Sequence, residues 1–229
     1  LESIDAGVHK IRLNPGNIDD ESQVCEVIEA CRDAGIPIRV GVNEGSVVER
    51  KDKQKRQAEL ASFFAERHQG HLLAMMIVKL EEYVELFEKQ DFHNICLSAK
   101  LMDARMVIDI YREIAERFDY PLHLGVTHAG PRETGSIRSI SALGSLLSSG
   151  IGDTIRISYA SDPVLEVEDA VELLNCLHLR DRIGAELIAC PSCGRIQVDL
   201  FSLVDDVRKQ LAEEIDLPIK VAVMGCVVN

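Results

Sequence analysis

The chain has 229 residues, with 25 Lys+Arg against 38 Asp+Glu for a formal charge of −13. At 46% hydrophobic and 28% charged residues it has the composition of a packed globular protein, which excludes a disordered chain. The acidic balance, 4% aromatic content and lack of Trp exclude a general nucleic-acid binder, which needs a basic face and stacking rings.

A helix-like segment opens the chain at 1–4. Strand-like β-branched runs follow at 9–13 and 36–42, separated by an amphipathic helix over 22–34. The stretch 44–91 breaks the rhythm. It is charged early and apolar in 72–78, and it reads as a loop insertion plus one or two helices on the rim of a barrel. Strands then recur at 94–99, 121–126, 154–158, 186–189 and 220–223. Helices lie between them at 104–118, 136–148, 164–177 and 200–215. Gly and Pro punctuate most helix ends, as in Gly35-Ile36-Pro37 and Gly150-Ile151-Gly152. Arg12 to Arg39, Lys100 to Gly125 and Gly125 to Arg156 are 27, 25 and 31 residues apart, the length of one strand–helix unit. The pattern predicts an α/β fold of repeated βα units with parallel strands. The charged cluster Arg180-Asp181-Arg182 marks a boundary between residues 1–182 and 183–229.

The run 72–78 is too short to span a bilayer and ends at Lys79. With no signal peptide and seven cysteines, the sequence points to a reducing, cytoplasmic setting. It starts at Leu1 and stops at Asn229 directly behind an apolar run, and so reads as an internal fragment of a longer protein.

Basic residues recur inside the strand patterns. Arg12, Arg39, Lys100 and Arg156 each sit in such a run and are expected near its C-terminal end, with Asn14, Asn43 and Ser158 close by. A parallel strand covered on both faces disfavours charge, because an unpaired buried cation is costly. Cations converging at the C-terminal mouth of a βα barrel suit a phosphate or diphosphate. The alternative is ion pairing with acids inside the barrel.

Cys190-Pro191-Ser192-Cys193 closes one strand run and Cys226 closes another. A Cys-x-x-Cys alone is a weak signal. Three thiols at strand ends, with no second Cys-x-x-Cys, fit an iron–sulfur cluster with one distinctive iron better than a four-ligand zinc site. Spacing leaves zinc open and ranks a disulfide last. Cys25, Cys31, Cys96 and Cys176 read as small buried hydrophobes.

Taken in order, several motifs resemble one family. They are Arg12-Leu13-Asn14-Pro15-Gly16-Asn17, Arg39-Val40-Gly41-Val42-Asn43-Glu44-Gly45-Ser46, Pro121-Leu122-His123-Leu124-Gly125-Val126-Thr127, Gly150-Ile151-Gly152-Asp153-Thr154-Ile155-Arg156, Cys190-Pro191-Ser192-Cys193 and Gly225-Cys226-Val227-Val228-Asn229. The set is similar to the 4-hydroxy-3-methylbut-2-en-1-yl diphosphate synthases of the non-mevalonate isoprenoid pathway. The match runs from Ile11 to Asn229 and is weakest over 47–91.

The resemblance implies a TIM-like barrel followed by a small α+β domain with a [4Fe-4S] cluster. This chain would hold the last five barrel strands and the start of the cluster domain. The implied reaction is the reductive ring opening of 2-C-methyl-D-erythritol 2,4-cyclodiphosphate, with electrons from ferredoxin or flavodoxin, in a homodimer. Arg12, Arg39, Lys100, Arg156 and Ser158 would hold the diphosphate. Asn43 and His128 would serve the chemical step, and Cys190, Cys193 and Cys226 would hold the cluster. Three departures stand out. The family's Thr-Glu-Ala-Gly reads Thr127-His128-Ala129-Gly130 here. The family's Glu ligand to the cluster lies beyond Asn229, and its first three barrel strands precede Leu1. The truncated chain by itself is therefore expected to be inactive. A non-catalytic phosphate-binding or zinc-binding module is the competing reading.

Overall fold

The computed structural model describes residues 1–14, 20–45, 47 and 69–227, in two units that divide at Leu173 and Leu174. The first unit opens with a one-turn helix, α1 (Glu2–Asp5). It then runs β1 (Ile11–Leu13), α2 (Glu21–Asp33), β2 (Ile38–Asn43), α3 (Gln69–Lys89), β3 (Ile95–Lys100), α4 (Ala104–Arg117), β4 (His123–Gly125), α5 (Arg132–Leu147), β5 (Thr154–Arg156) and most of α6 (Pro163–Cys176), whose last three residues belong to the second unit. The second unit holds β6 (Glu186–Ala189), α7 (Leu200–Glu214) and β7 (Lys220–Val223).

Local chemistry sets the helix ends. Asp20, Asp103 and Asp199 cap α2, α4 and α7, accepting from the backbone N–H of Ser22, Met106 and Ser202. Gly35 at φ +66° ends α2, and the Ile36 N–H returns to the Cys31 carbonyl at 3.0 Å. That left-handed stop is one glycine adopts without steric cost.

All strand pairs are parallel. β1, β2 and β3 form one sheet, and β4 and β5 form a second. β3 and β4 are neighbours through the bridge between Leu97 and Leu122. The first unit therefore carries five strands side by side in chain order, as repeated βα units do. Among the described residues the sheet does not close on itself. β3 is buried along nearly its whole length, and Leu97, Leu124, Val40, Ile28, Phe87, Ile110 and Tyr111 pack between sheet and helices.

Two expectations are corrected here. α3 is not a rim element: it is the helix linking β2 to β3, and it packs on β2. Its buried face of Leu72, Met76, Leu80, Val84 and Phe87 recurs every three or four residues, as a covered helix requires. The earlier part of that stretch, 48–68, lies outside the described residues. Arg39 is the second residue of β2, not a residue near its end, because the strand starts at Ile38 and continues to Asn43.

In the second unit β6 and β7 pair in parallel, Glu186 opposite Lys220 through Ala189 opposite Val223. Among the described residues no helix is long and apolar enough to cross a membrane.

Candidate functional site

Alternate residues of a strand share a face. Arg12 on β1, Arg39, Gly41 and Asn43 on β2, Lys100 on β3, His123 and Gly125 on β4, and Thr154 and Arg156 on β5 fall on the face opposite Leu13, Val40, Leu97 and Leu124. Register sets Arg12 beside Arg39, Asn43 beside Lys100 and Gly125 beside Arg156.

Two glycines make room for two of the cations. A Cβ on Gly41 would stand 3.3 Å from Arg12 Nε, so the Arg12 side chain lies across β2. A Cβ on Gly125 would stand 3.0 Å from Lys100 Cε and 3.1 Å from Nζ, so Lys100 lies across β4. Both contacts are tighter than a side chain accepts without displacing the cation.

Among the described residues no carboxylate pairs with Arg12, Arg39, Lys100 or Arg156. Burial pushes the Lys100 ammonium down to about 8, helped by Arg39, Arg156 and Arg12. The long Arg39 side chain thus acts on Lys100 even though its backbone lies lower in the sheet. Arg12 is lowered too, by burial and then by Arg39. Internal ion pairing, the competing reading of these cations, is absent among the described residues. Ser158 orients one of them: Arg156 Nη2 donates to its Oγ at 3.0 Å. Asn43 is half-buried at the end of β2, and Asn14 is buried just past β1.

His128 follows β4 and is exposed, with φ at +52°. Its loop is tied down on both sides. The Thr127 N–H donates to the Leu101 carbonyl at 3.0 Å, Arg138 Nη1 to the Ala129 carbonyl at 3.0 Å, and the Ala160 N–H to the Gly130 carbonyl at 2.9 Å.

One residue on this face went unrecognised as a candidate. His123 is buried, its Nδ1 lies 2.9 Å from Thr154 Oγ1, and its Nε2 has no partner among the described residues. Burial, then Lys100, Arg39, Lys10 and Arg156, push it down to about 3, so the imidazole is neutral. The signal available was its place two residues before Gly125, on the same face of the strand.

In the second unit Cys190, Cys193 and Cys226 line one cavity of about 250 Å³ together with Arg195, Ile196 and Gly225. Cys190 lies just past β6 and Cys226 just past β7. The Gln197 N–H donates to the Gly225 carbonyl at 2.9 Å and ties the two loops together. Hydrogen bonds from the Arg195 backbone and side chain lower the Cys193 thiol. Among the described residues no three His, Cys, Asp or Glu side chains are gathered as the ligands of a single metal ion. The other cysteines are corrected in part: Cys31 and Cys96 are buried as expected, Cys25 is half-buried, and Cys176 is exposed at the end of α6.

Comparison with known proteins agrees with this layout. Residues 1–171 match the GcpE TIM-barrel domain and residues 186–229 the GcpE protein C-terminal domain. The chain is 43% identical over 229 residues to a 4-hydroxy-3-methylbut-2-en-1-yl diphosphate synthase (flavodoxin) of Symbiobacterium thermophilum, covering 100% of this chain and 58% of that protein. Proteins of the same name from Corynebacterium glutamicum and Bacillus subtilis are 45% and 42% identical, covering 99% and 100% of this chain and 57% of each relative. The chain thus spans a little over half the length of the curated relatives it matches. With family domains matched across most of its length, the chain belongs to the GcpE family.

Proposed function

We propose that the chain forms the central part of a cytoplasmic reductase of isoprenoid biosynthesis. Its substrate would be 2-C-methyl-D-erythritol 2,4-cyclodiphosphate and its product 4-hydroxy-3-methylbut-2-enyl diphosphate. The observation that carries this reading is the group of four convergent cations with no carboxylate partner among the described residues. Such a group suits an anion of high charge, because Arg12 and Arg156 are exposed and Arg39 and Lys100 half-buried, where a ligand can reach them. Arg12, Arg39 and Arg156 offer forked donors to the diphosphate oxygens, Lys100 offers a compact charge, and Ser158 steadies Arg156.

The five parallel strands of the first unit would be the last five of a TIM-like barrel, closed in the longer protein by strands outside this chain. The barrel part would end near Arg182 and the cluster domain begin at Ile183. The three thiols suit a [4Fe-4S] group in kind, and their sharing of one cavity together with the lowered Cys193 thiol supports that reading. When bound, that group would deliver two electrons, supplied by ferredoxin or flavodoxin, to the carbon–oxygen bond being broken. Asn43 would orient the substrate beside Lys100, and His128 would hand a proton to the departing oxygen. A homodimer would bring one subunit's cluster domain over the other's barrel mouth.

The test is anaerobic reconstitution of the full-length protein with iron and sulfide, followed by turnover of the cyclic diphosphate with reduced flavodoxin. A visible cluster band with product formation supports the reading. Stoichiometric zinc without an absorption band overturns the cluster assignment.

A further inference from the structure

Between β3 and β4 the backbone ladder is interrupted. The Leu97 N–H bonds the Pro121 carbonyl at 2.8 Å below the interruption, and the Thr127 N–H bonds the Leu101 carbonyl at 3.0 Å above it. In between, where the Ala99 N–H would reach the His123 carbonyl, a side chain intervenes. The Tyr111 hydroxyl accepts from the Ala99 N–H at 3.0 Å and donates to the His123 carbonyl at 2.6 Å. The two backbone groups therefore stand one hydroxyl apart instead of in contact, which is why β1–β3 and β4–β5 separate into two sheets. Tyr111 reaches this point from α4 and is fully buried.

The hydroxyl is not needed to satisfy the backbone. Without it the amide and the carbonyl would pair with each other, as in an ordinary parallel ladder. What it adds is width. That width falls directly under the anion site: Ala99 precedes Lys100, and His123 shares a face with Gly125, over which Lys100 lies. We propose that Tyr111 is a positioning residue for the anion site, its hydroxyl setting the spacing of β3 and β4 and with it the seat of Lys100 over Gly125. This rests on the anion-binding reading of that face. Among the described residues, the charged and titratable groups that face Lys100 are Arg12 on β1, Arg39 on β2, His123 on β4 and Arg156 on β5, and those that face the Tyr111 hydroxyl are Cys96 and Arg39. Burial pushes the Tyr111 phenol up to about 12, so it stays a neutral donor across the working range.

The experiment compares the full chain with Tyr111→Phe and Gly125→Ala, using inorganic diphosphate in calorimetry and the Lys100 side-chain resonances in a pH titration. Tyr111→Phe is expected to fold, because the freed amide and carbonyl pair directly. Its diphosphate affinity should fall about 3- to 30-fold, the scale of one displaced charge-assisted contact. Its Lys100 midpoint should move below the native value of about 8 as the strands draw Lys100 toward Arg156. Gly125→Ala, which pushes Lys100 off its seat with Tyr111 in place, should lose affinity as well. A Phe variant with unchanged affinity and midpoint overturns the proposal, even if Gly125→Ala weakens binding. A Phe variant that does not fold also overturns it, since Tyr111 is then a pillar of the core. A native protein that binds no diphosphate removes the anion site itself, and the Lys100 midpoint still reports whether Tyr111 sets the seat.

Discussion

Arg12 and Lys100 each lie across a glycine of the next strand, so these two cations depend on an absent side chain as much as on their own charge. The crowding of like charges makes two predictions. Arg39→Ala or Arg156→Ala should leave the protein folded and weaken diphosphate binding several-fold to a hundredfold, about 1–3 kcal/mol for a charge-assisted hydrogen bond. Titration calorimetry beside a melting curve checks this; an unfolded variant whose folded remainder binds normally would mark a structural residue instead. Lys100 supplies the pH dependence. Its folded-state value of about 8 lies below its ordinary 10.5, so it loses its proton in the folded protein first. Diphosphate affinity should therefore fall as pH rises through about 8, and more steeply than in Lys100→Arg, whose charge does not titrate there. The same shift makes the Lys100 contribution to stability rise between about 8 and 10.5, because the unfolded chain holds the extra proton in that window.

At the scale of elements, three hydrogen bonds hold the loop between β4 and α5. His128 sits in the left-handed region, which a non-glycine residue enters at a cost of about 1–2 kcal/mol. Hydrogen bonds from Thr127, Arg138 and Ala160 hold it there and keep the imidazole in the open at the C-terminal ends of the strands. If His128 delivers a proton, His128→Gln in the full-length enzyme should lower kcat by about a hundredfold with a smaller rise in KM. His128→Glu should retain much of the activity. Steady-state kinetics decide the matter, and a Gln variant with native kcat would leave the residue only a shaping role. The helices around this loop were largely legible in the sequence because their apolar spacing and Asp caps are local signals. The packing of α3 on β2 was not, because the charged stretch before it masks the apolar face that begins at Leu72.

At the scale of the molecule, Arg12, Arg39, Lys100 and Arg156 share one face of the sheet in the first unit, and Cys190, Cys193 and Cys226 line one cavity of the second. The full-length protein should bind about four irons after reconstitution and lose them when Cys190, Cys193 or Cys226 becomes Ala. Cys25→Ala and Cys176→Ala should keep them. Iron analysis with the visible spectrum reads both, and retention of full iron after losing any of the three would remove that residue from the ligand set.

The order of elements, the parallel α/β class, the presence of a cation in four strand runs and the position of Cys190 and Cys226 just past strand runs were determined by the sequence alone. Each depends on residues close together in the chain, where period, turn chemistry and spacing act directly. The tertiary structure alone decided that Arg39 lies beside Arg12 rather than at a strand end, that Gly41 and Gly125 seat neighbouring cations, that His123 is buried and neutral, and that Cys176 is exposed. It alone put the Tyr111 hydroxyl between two strands. These outcomes turn on register and burial between segments far apart in sequence, and a one-residue slip in register would turn every side chain of a strand to its other face.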